Sequence, residues 1–241
     1  MQNQFDPRQP AVNTATVGVP RAARDVGLRS YMLSVYNYMA SGVLLTGIVA
    51  MLFANSGYAA QVMATPLRWL IILAPLGFVM VMSFGMNRLS TGTLQTLFWS
   101  FAVAMGLSMS TIFLVYTGTS IAQTVFAVSA GFAGLSLWGY TTKKDLSGWG
   151  TFLIMGVVGL LVAMLINLFL QSPAMMLAIS AIGVLLFAGL TAYDTQRIKS
   201  VYDQVAGTDM MGKVVIMGAL NLYLDFINMF MFLLSFMGDR R

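Results

Sequence analysis

Long apolar runs separated by short polar stretches dominate the sequence after its N-terminal region. Each run is long enough to cross the ~30 Å hydrocarbon core of a membrane, which takes about 20 helical residues. The stretches between the runs are rich in Gly, Ser, Thr and Pro, which is typical of turns. We therefore predict an all-α, polytopic membrane protein with seven transmembrane helices. The predicted helices lie near residues 33–54, 67–86, 94–116, 120–140, 150–170, 174–193 and 214–237.

The N-terminal stretch, residues 1–27, differs from everything that follows. It is polar, lacks hydrophobic periodicity and contains Pro7, Pro10 and Pro20. Because such a segment has little apolar surface to bury, we predict a disordered cytoplasmic tail. Residues 28–241 then form one seven-helix transmembrane domain. Its longest cytoplasmic connection, residues 194–213, is too short to hold a second hydrophobic core.

Composition narrows the possible chemistry. Of 241 residues, 58% are hydrophobic and 9% are charged, and the chain contains neither Cys nor His. Disulfide and thiol chemistry are therefore excluded, and the commonest metal ligand and general base is missing. A response to pH near neutrality has to come from carboxylates. The formal net charge of +5 is spread singly over the ends of the apolar runs, so we expect no nucleic-acid partner.

The distribution of basic residues predicts the orientation of the chain. With the N-terminus in the cytoplasm, ten Lys and Arg residues fall in cytoplasmic segments and three in external ones. Because cytoplasmic loops carry the excess of Lys and Arg, we predict a cytoplasmic N-terminus. The C-terminus then lies outside, unless the last helix is re-entrant. The ten residues are Arg8, Arg21, Arg24, Arg29, Arg88, Lys143, Lys144, Arg197, Lys199 and Lys213, and the three are Arg68, Arg240 and Arg241.

The last apolar run carries a charged residue where a lipid-spanning helix should have none. Asp225 is flanked at helical spacing by Asn221 and Asn228. An acid at membrane depth costs roughly 2.5–3.5 kcal/mol on insertion scales, so it marks a functional-site hypothesis. At 100° per residue the three side chains form one polar stripe, which must face protein or water. This helix therefore fits a central position in the bundle.

A second polar stripe follows the sixth run and also ends in an acid. Thr191 and Asp194 lie on one helical face. Asp194 and Asp225 stand on consecutive antiparallel helices and can meet if their depths agree. With a rise of ~1.5 Å per residue, Asp225 lies about 10 Å inside the membrane, whereas Asp194 lies near the cytoplasmic end of its helix. Pairing therefore requires one of the two helices to be shifted.

A meeting of the two acids would have defined chemical consequences. Two carboxylates in one buried site cannot both ionise cheaply, so they would share a proton and act as a pH sensor. Deprotonated, they would repel each other and offer oxygen ligands to a transient Ca²⁺ ion. The alternative is that each acid has its own partner, Asp194 with Arg197 and Asp225 with the Asn residues. Spacing leaves both alternatives open.

Arg88, at the end of the second run, allows two interpretations. It is either a cytoplasmic anchor that snorkels to the membrane surface, or a cationic latch that reaches the acids from the same side of the membrane.

Two stretches give the chain a recognisable signature: Gly189-Leu-Thr-Ala-Tyr-Asp-Thr-Gln-Arg-Ile-Lys199 and Gly218-Ala-Leu-Asn-Leu-Tyr-Leu-Asp-Phe-Ile-Asn228. With them, nearly everything after the tail resembles the Bax inhibitor-1 family of transmembrane proteins, and specifically its bacterial inner-membrane branch. The resemblance implies six helices around a central seventh and a pH-dependent calcium leak without a cofactor. It also implies that Asp194 and Asp225 form the sensor and that Arg88 stabilises the closed form.

Two other functions are compatible with buried acids, and each implies different partners. The first is a membrane regulator that transports nothing and binds a membrane protease or a stress-response partner. The second is an intramembrane aspartyl protease of the presenilin type, in which two acids would activate water. Such proteases carry Gly-x-Gly-Asp at the second acid, where this chain has Leu222-Tyr-Leu-Asp225. We therefore expect no enzyme, and a function exercised in the lipid bilayer on protons and Ca²⁺.

Overall fold

The computed structural model describes residues 21–240, and this part of the chain is built of helices joined by short turns. Seven segments of it are long and apolar enough to cross a membrane, with α4 and α5 forming one of them. The predicted all-α architecture with seven spans is confirmed. The helices are α1 (Arg21–Asn55), α2 (Tyr58–Met63), α3 (Leu67–Gly85), α4 (Thr91–Met109), α5 (Thr111–Val115), α6 (Gly118–Thr141), α7 (Ser147–Leu170), α8 (Pro173–Val205) and α9 (Met210–Met237).

Two helices extend well beyond the apolar runs that predicted them. Helix α1 begins at Arg21, so residues 21–27 of the predicted tail are helical, whereas residues 1–20 lie outside the described residues. Helix α8 continues to Val205, so the predicted connection over residues 194–213 is mostly helix. Hydropathy reports the membrane-embedded part of a helix and not its full length, which is why the extensions were missed.

The extensions are stable because they pack against each other. The rings of Tyr31 on α1 and Tyr202 on α8 lie 5.4 Å apart between centroids. A Cβ atom at Gly27 would meet the hydroxyl of Tyr202, so any side chain there would force the Tyr202 ring to move. Apolar residues spaced along the extension of α8, such as Ile198 and Val205, are buried. Burial of this stripe holds an otherwise polar segment in helical form.

Helix α9 occupies the centre of the bundle. In its most hydrophobic window 67% of the residues are buried, against 11–33% in the other spans. It packs against α1, α4, α6 and α8. Helices α3 and α7 lie farther out, where they pack against α4 and α8. The central position expected for the last helix is confirmed, although the other six helices do not form a single ring around it.

The six outer spans divide into two groups of three with the same internal packing. In the first group α4 packs against both α1 and α3, and in the second α8 packs against both α6 and α7. Each group contains an odd number of spans, so the two groups cross the membrane in opposite directions. Helix α9 lies between the two groups and packs against helices of both.

Candidate functional site

The structure places Asp225 in the core of the bundle. Its side chain is only 4% exposed. Its Oδ2 atom is buried and receives no hydrogen bond from any group in residues 21–240. A buried carboxylate without donors is costly to keep ionised. Asp225 is therefore an unsatisfied polar group at the middle of the central helix.

Asp194 lies on the helix that packs most extensively against α9. Two close contacts set the antiparallel register of α8 and α9, since a Cβ atom at Gly218 would lie 3.3 Å from Ile198 and one at Gly183 would lie 2.5 Å from the ring of Phe232. Asp194 is four residues from Ile198, and Asp225 is seven residues from Gly218. At ~1.5 Å per residue, the two acids differ in depth by only about 4.5 Å.

This register places the two acids in the same helix contact. Asp194 is half-buried, and its charge acts on Asp225 across the contact between α8 and α9. The shift that pairing required is supplied by the long polar extension of α8, which moves Asp194 away from the end of its helix. Depth therefore does not keep the two carboxylates apart.

Two other residues of the polar stripes are hydrogen-bonded within their own helices. The Asn228 amide donates to the Leu224 carbonyl at 2.8 Å. The buried Thr191 hydroxyl donates to the Phe187 carbonyl, also at 2.8 Å. Asn221 is half-buried. These residues border the acids, and none of their hydrogen bonds within residues 21–240 is directed to Asp225.

The alternative with a separate partner for each acid is not formed in this conformation. Within the described chain, the one ion pair closer than 4.0 Å joins Arg24 and Asp203. Arg197 is exposed, and its charge reaches Asp194 only from a greater distance. The positive charge at residue 197 thus offsets part of the negative charge at residue 194 without a direct contact.

Arg88 is not brought to the acids. It is exposed, in the turn between α3 and α4, where its backbone N–H donates to the Gly85 carbonyl at 2.9 Å. Helix α3 packs against α4, on the outside of the bundle. Within residues 21–240 Arg88 makes no ion pair with Asp194 or Asp225. Its exposure is typical of a surface anchor, and the latch is not formed in this conformation.

A buried hydrogen-bond chain close to Asp225 was not predicted. The Thr46 hydroxyl donates to the Ala102 carbonyl at 2.8 Å and lies 2.7 Å from the hydroxyl of Tyr223. Since the single Thr46 proton is used, Tyr223 must be the donor in the second bond. The chain links α9 to α1 and α4 two residues from Asp225. The signal in the sequence was a Thr and a Tyr within apolar runs, which spacing alone could not connect.

Polar contacts that sequence reasoning also missed fix the segment of α8 that follows Asp194. The amide of Gln196 accepts a bond from the Leu146 N–H and donates to the Lys144 carbonyl, both at 2.8 Å. The Lys199 ammonium donates to the Tyr140 carbonyl at 2.6 Å and lies 4.7 Å from the centroid of the Tyr140 ring. These bonds tie α8 to the turn between α6 and α7 and to the end of α6.

At the same end of α8, the Arg24 guanidinium binds Asp203 through Nε at 2.7 Å and Nη2 at 2.5 Å. The Tyr31 hydroxyl donates to the Ile198 carbonyl at 3.3 Å. Both contacts join the extension of α8 to α1. The part of α8 beyond the acids is therefore held from two sides.

The residues present could hold a cation only weakly. No group of three or more His, Cys, Asp or Glu residues within residues 21–240 is arranged to hold a metal ion. Ca²⁺ ordinarily takes six to eight oxygen ligands. Asp194 and Asp225 alone would supply a minority of these ligands.

Comparison with known proteins identifies the family. The family model described as inhibitor of apoptosis-promoting Bax1 matches residues 28–241. The chain is 48% identical over 219 residues to the uncharacterized protein RP147 of Rickettsia prowazekii (strain Madrid E), covering 90% of this chain and 92% of that protein.

A second relative is the inner membrane protein YbhL of Escherichia coli (strain K12), which is 47% identical over 227 residues, or 92% of this chain and 95% of that protein. The match with the family model covers the helical bundle from residue 28 onward, including both acids and the stretches around them. Together with the seven membrane-crossing helices, these matches establish that the chain is a membrane protein of the Bax inhibitor-1 family.

Proposed function

We propose that this protein is a pH-sensitive cation leak, with Ca²⁺ as the permeant ion and with Asp194 and Asp225 as the proton sensor. The observation that carries the proposal is the buried Oδ2 atom of Asp225, which has no donor within residues 21–240 and lies within about 4.5 Å in depth of Asp194 on the neighbouring helix. A carboxylate that merely stabilised the fold would be expected to have its hydrogen bonds satisfied.

Proton binding would control the packing of α8 against α9. With one proton shared, the pair carries a single negative charge, and the two helices can remain in contact. With both acids ionised, two like charges face each other in a medium of low polarity, and their repulsion weakens the contact. Loss of the proton is thus the proposed trigger, and separation of α8 from α9 the proposed response.

The packing around the acids supports a closed conformation. Tyr223 is fully buried, and Phe226 is 7% exposed. The ring of Phe226 lies edge-on to Phe132 at 5.6 Å between centroids. Between α8 and α9, the close contacts of Gly183 with Phe232 and of Gly218 with Ile198 leave a hydrated cation no room until the helices separate. Arg88 makes no ion pair with either acid within residues 21–240, so the proposed sensor does not depend on it.

We further propose that the protein lies in the bacterial inner membrane with its N-terminus in the cytoplasm. The Escherichia coli relative is named as an inner membrane protein. The end of the bundle at which α1 begins and α8 ends, with the turns on the same side, carries most of the basic residues within positions 21–240: Arg21, Arg24, Arg29, Arg88, Lys143, Lys144, Arg197, Lys199 and Lys213. We call this end of the bundle the basic end. Its charge supports a cytoplasmic location under the positive-inside rule.

Reconstitution provides the test. Proteoliposomes loaded with a calcium dye should show a flux that increases from pH 6 to pH 8 in the wild type and stays low at every pH in Asp225→Asn. Asp209→Asn is the matched control, because Asp209 is exposed and makes no capping bond at the start of the same helix. Equal flux in the wild type and Asp225→Asn at all pH values would refute the sensor. Absence of flux at every pH would favour the non-transporting regulator.

A further inference from the structure

A long apolar groove opens on the side of the bundle between α1 and α6. Its volume is about 1060 Å³. Both helices pack against α9, and α9 forms the floor of the groove with Phe226, Ile227 and Phe230. The proposed sensor does not use this groove, which lies on the side of α9 formed by α1 and α6.

The groove opens toward lipid. Its rim carries apolar side chains with large exposed fractions, including Leu33 at 50% and Leu44 at 65% on α1 and Leu137 at 64% on α6. Exposed apolar side chains on a membrane-spanning helix lie in the hydrocarbon region. Whatever fills the groove therefore enters sideways from the bilayer.

The floor of the groove decides between two occupants. A transmembrane helix from a partner, about 10 Å across, would have to pack on that floor. Phe226, Ile227 and Phe230 are exposed by only 7%, 6% and 5%, so a helix would bury little additional apolar surface there. A hydrocarbon chain is thinner than a helix and needs no such packing surface.

Charge is present at one end of the groove only. Arg29 and Asp25 line it at the basic end, with Tyr140 opposite on α6. The ammonium of Lys199 lies over the ring of Tyr140, 4.7 Å from its centroid. Two cations therefore border this end against one carboxylate. The far end is lined by residues without charge: Ala50, Met51, Met109, Ile112 and Phe113.

We propose that the groove binds an acyl chain of an anionic phospholipid whose phosphate contacts Arg29. Basic pockets between transmembrane helices bind such headgroups. From Arg29 to Met51 the groove follows α1 for about 33 Å, the thickness of the hydrocarbon core, so one lipid occupies the half next to the basic end. Its chain would lie against Phe226 and Ile227.

A substitution that fills the groove tests the site directly. Ala133 is exposed and lines the groove. It stands eight residues before Thr141, the last residue of α6, or about 12 Å from the basic end and within reach of one acyl chain. Ala133→Phe should therefore displace the lipid. Ala127 is exposed on the same helix and outside the groove, so Ala127→Phe controls for the added ring.

The measurement is native mass spectrometry of the full chain released from nanodiscs of phosphatidylglycerol or phosphatidylethanolamine. We expect the wild type and Ala127→Phe to retain one phosphatidylglycerol and Ala133→Phe to retain none. Arg29→Gln should keep a lipid but lose about fivefold in its preference for phosphatidylglycerol. Helical circular dichroism of each variant checks folding. Equal retention by the wild type and Ala133→Phe, or a wild type that retains no lipid, would overturn the proposal.

Discussion

Tyr223 on α9 donates a hydrogen bond of 2.7 Å to Thr46 on α1, and the Thr46 hydroxyl donates in turn to the Ala102 carbonyl of α4 at 2.8 Å. Both side chains are buried, with exposed fractions of 0% and 2%. The two bonds join the central helix to the first group of three spans, on the side of α9 that does not face α8. Movement of α8 can therefore leave α9 attached to α1 and α4.

This chain of bonds predicts unequal effects of two substitutions. Tyr223→Phe removes one bond, and Thr46 keeps its bond to Ala102. Thr46→Val removes both bonds and leaves the Tyr223 hydroxyl buried without a partner. Because interhelical bonds in membranes average about 0.6 kcal/mol, we expect Tyr223→Phe to lower the free energy of unfolding by about that amount and Thr46→Val by roughly twice as much.

Thermal unfolding in detergent measures the difference. Thr141→Val is the control, since the Thr141 hydroxyl is exposed and bonds only within its own helix, to Leu137 at 2.7 Å and to Trp138 at 3.5 Å. Equal losses for Tyr223→Phe and Thr46→Val would show that the two bonds do not form a chain.

Asp194→Asn tests the second member of the proposed sensor. The amide is neutral at every pH, so the repulsion with Asp225 is removed and the calcium flux should lose its increase between pH 6 and pH 8. We also expect the variant to be more stable than the wild type at pH 8 by about 1 kcal/mol, because two buried like charges are reduced to one. Flux assays and thermal unfolding at pH 6 and pH 8 check both results. If Asp194→Asn keeps the full pH response, Asp194 is not part of the sensor, and Asp225 would have to act without it.

Asp145, in the turn between α6 and α7, should contribute nothing to the pH response. Hydrogen bonds from Ser147, including its backbone N–H at 2.9 Å, lower the pKa of Asp145. A group with a lowered pKa favours the folded state above its ordinary range and loses that contribution only as the pH falls through the acid region. Asp145 thus stays ionised from pH 6 to pH 8, and Asp145→Asn should leave the shape of the flux curve over that range unchanged. A shifted midpoint would place part of the sensor in this turn.

Two glycines on α6 should respond in opposite directions to the same substitution. A Cβ atom at Gly139 would lie 2.4 Å from the Ala192 carbonyl oxygen of α8, whereas one at Gly131 would meet nothing within 4 Å. Gly139→Ala should cost about 1–3 kcal/mol through overpacking. Gly131→Ala should be neutral or stabilising by up to about 1 kcal/mol, because alanine favours the helix. Thermal unfolding of the two variants under identical conditions makes the comparison, and equal melting temperatures would contradict the close contact at Gly139.

The apolar runs were enough to predict seven spans and the central place of the last one, because both follow from what a bilayer tolerates. They could not show that α1 and α8 continue outside the apolar region. Those extensions depend on contacts such as Tyr31 with Tyr202, between residues 171 positions apart in the chain. Because the extension of α8 could not be predicted, Asp194 was placed at the end of its helix. The predicted difference in depth between Asp194 and Asp225 was too large for the same reason.

The position of Arg88 was beyond sequence reasoning for a different reason. Its place at the end of the second span was correct, but its distance from the acids depends on which helices are neighbours. Helix α3 is the next membrane span after α1 in the chain, and yet it packs against α4 on the outside of the bundle. Charge patterns predict the side of the membrane on which a residue lies, and they contain no information about the order of helices around the centre.

The unbroken length of α8 has a mechanical consequence. Asp194 lies eleven residues before Val205 within one continuous helix, so the end of α8 stands about 16 Å from the acid as the arm of a lever. A tilt of about 10° around Asp194 would carry that end sideways by about 3 Å. That displacement would pull on the Arg24–Asp203 pair and transmit a change of one proton inside the membrane to the aqueous surface.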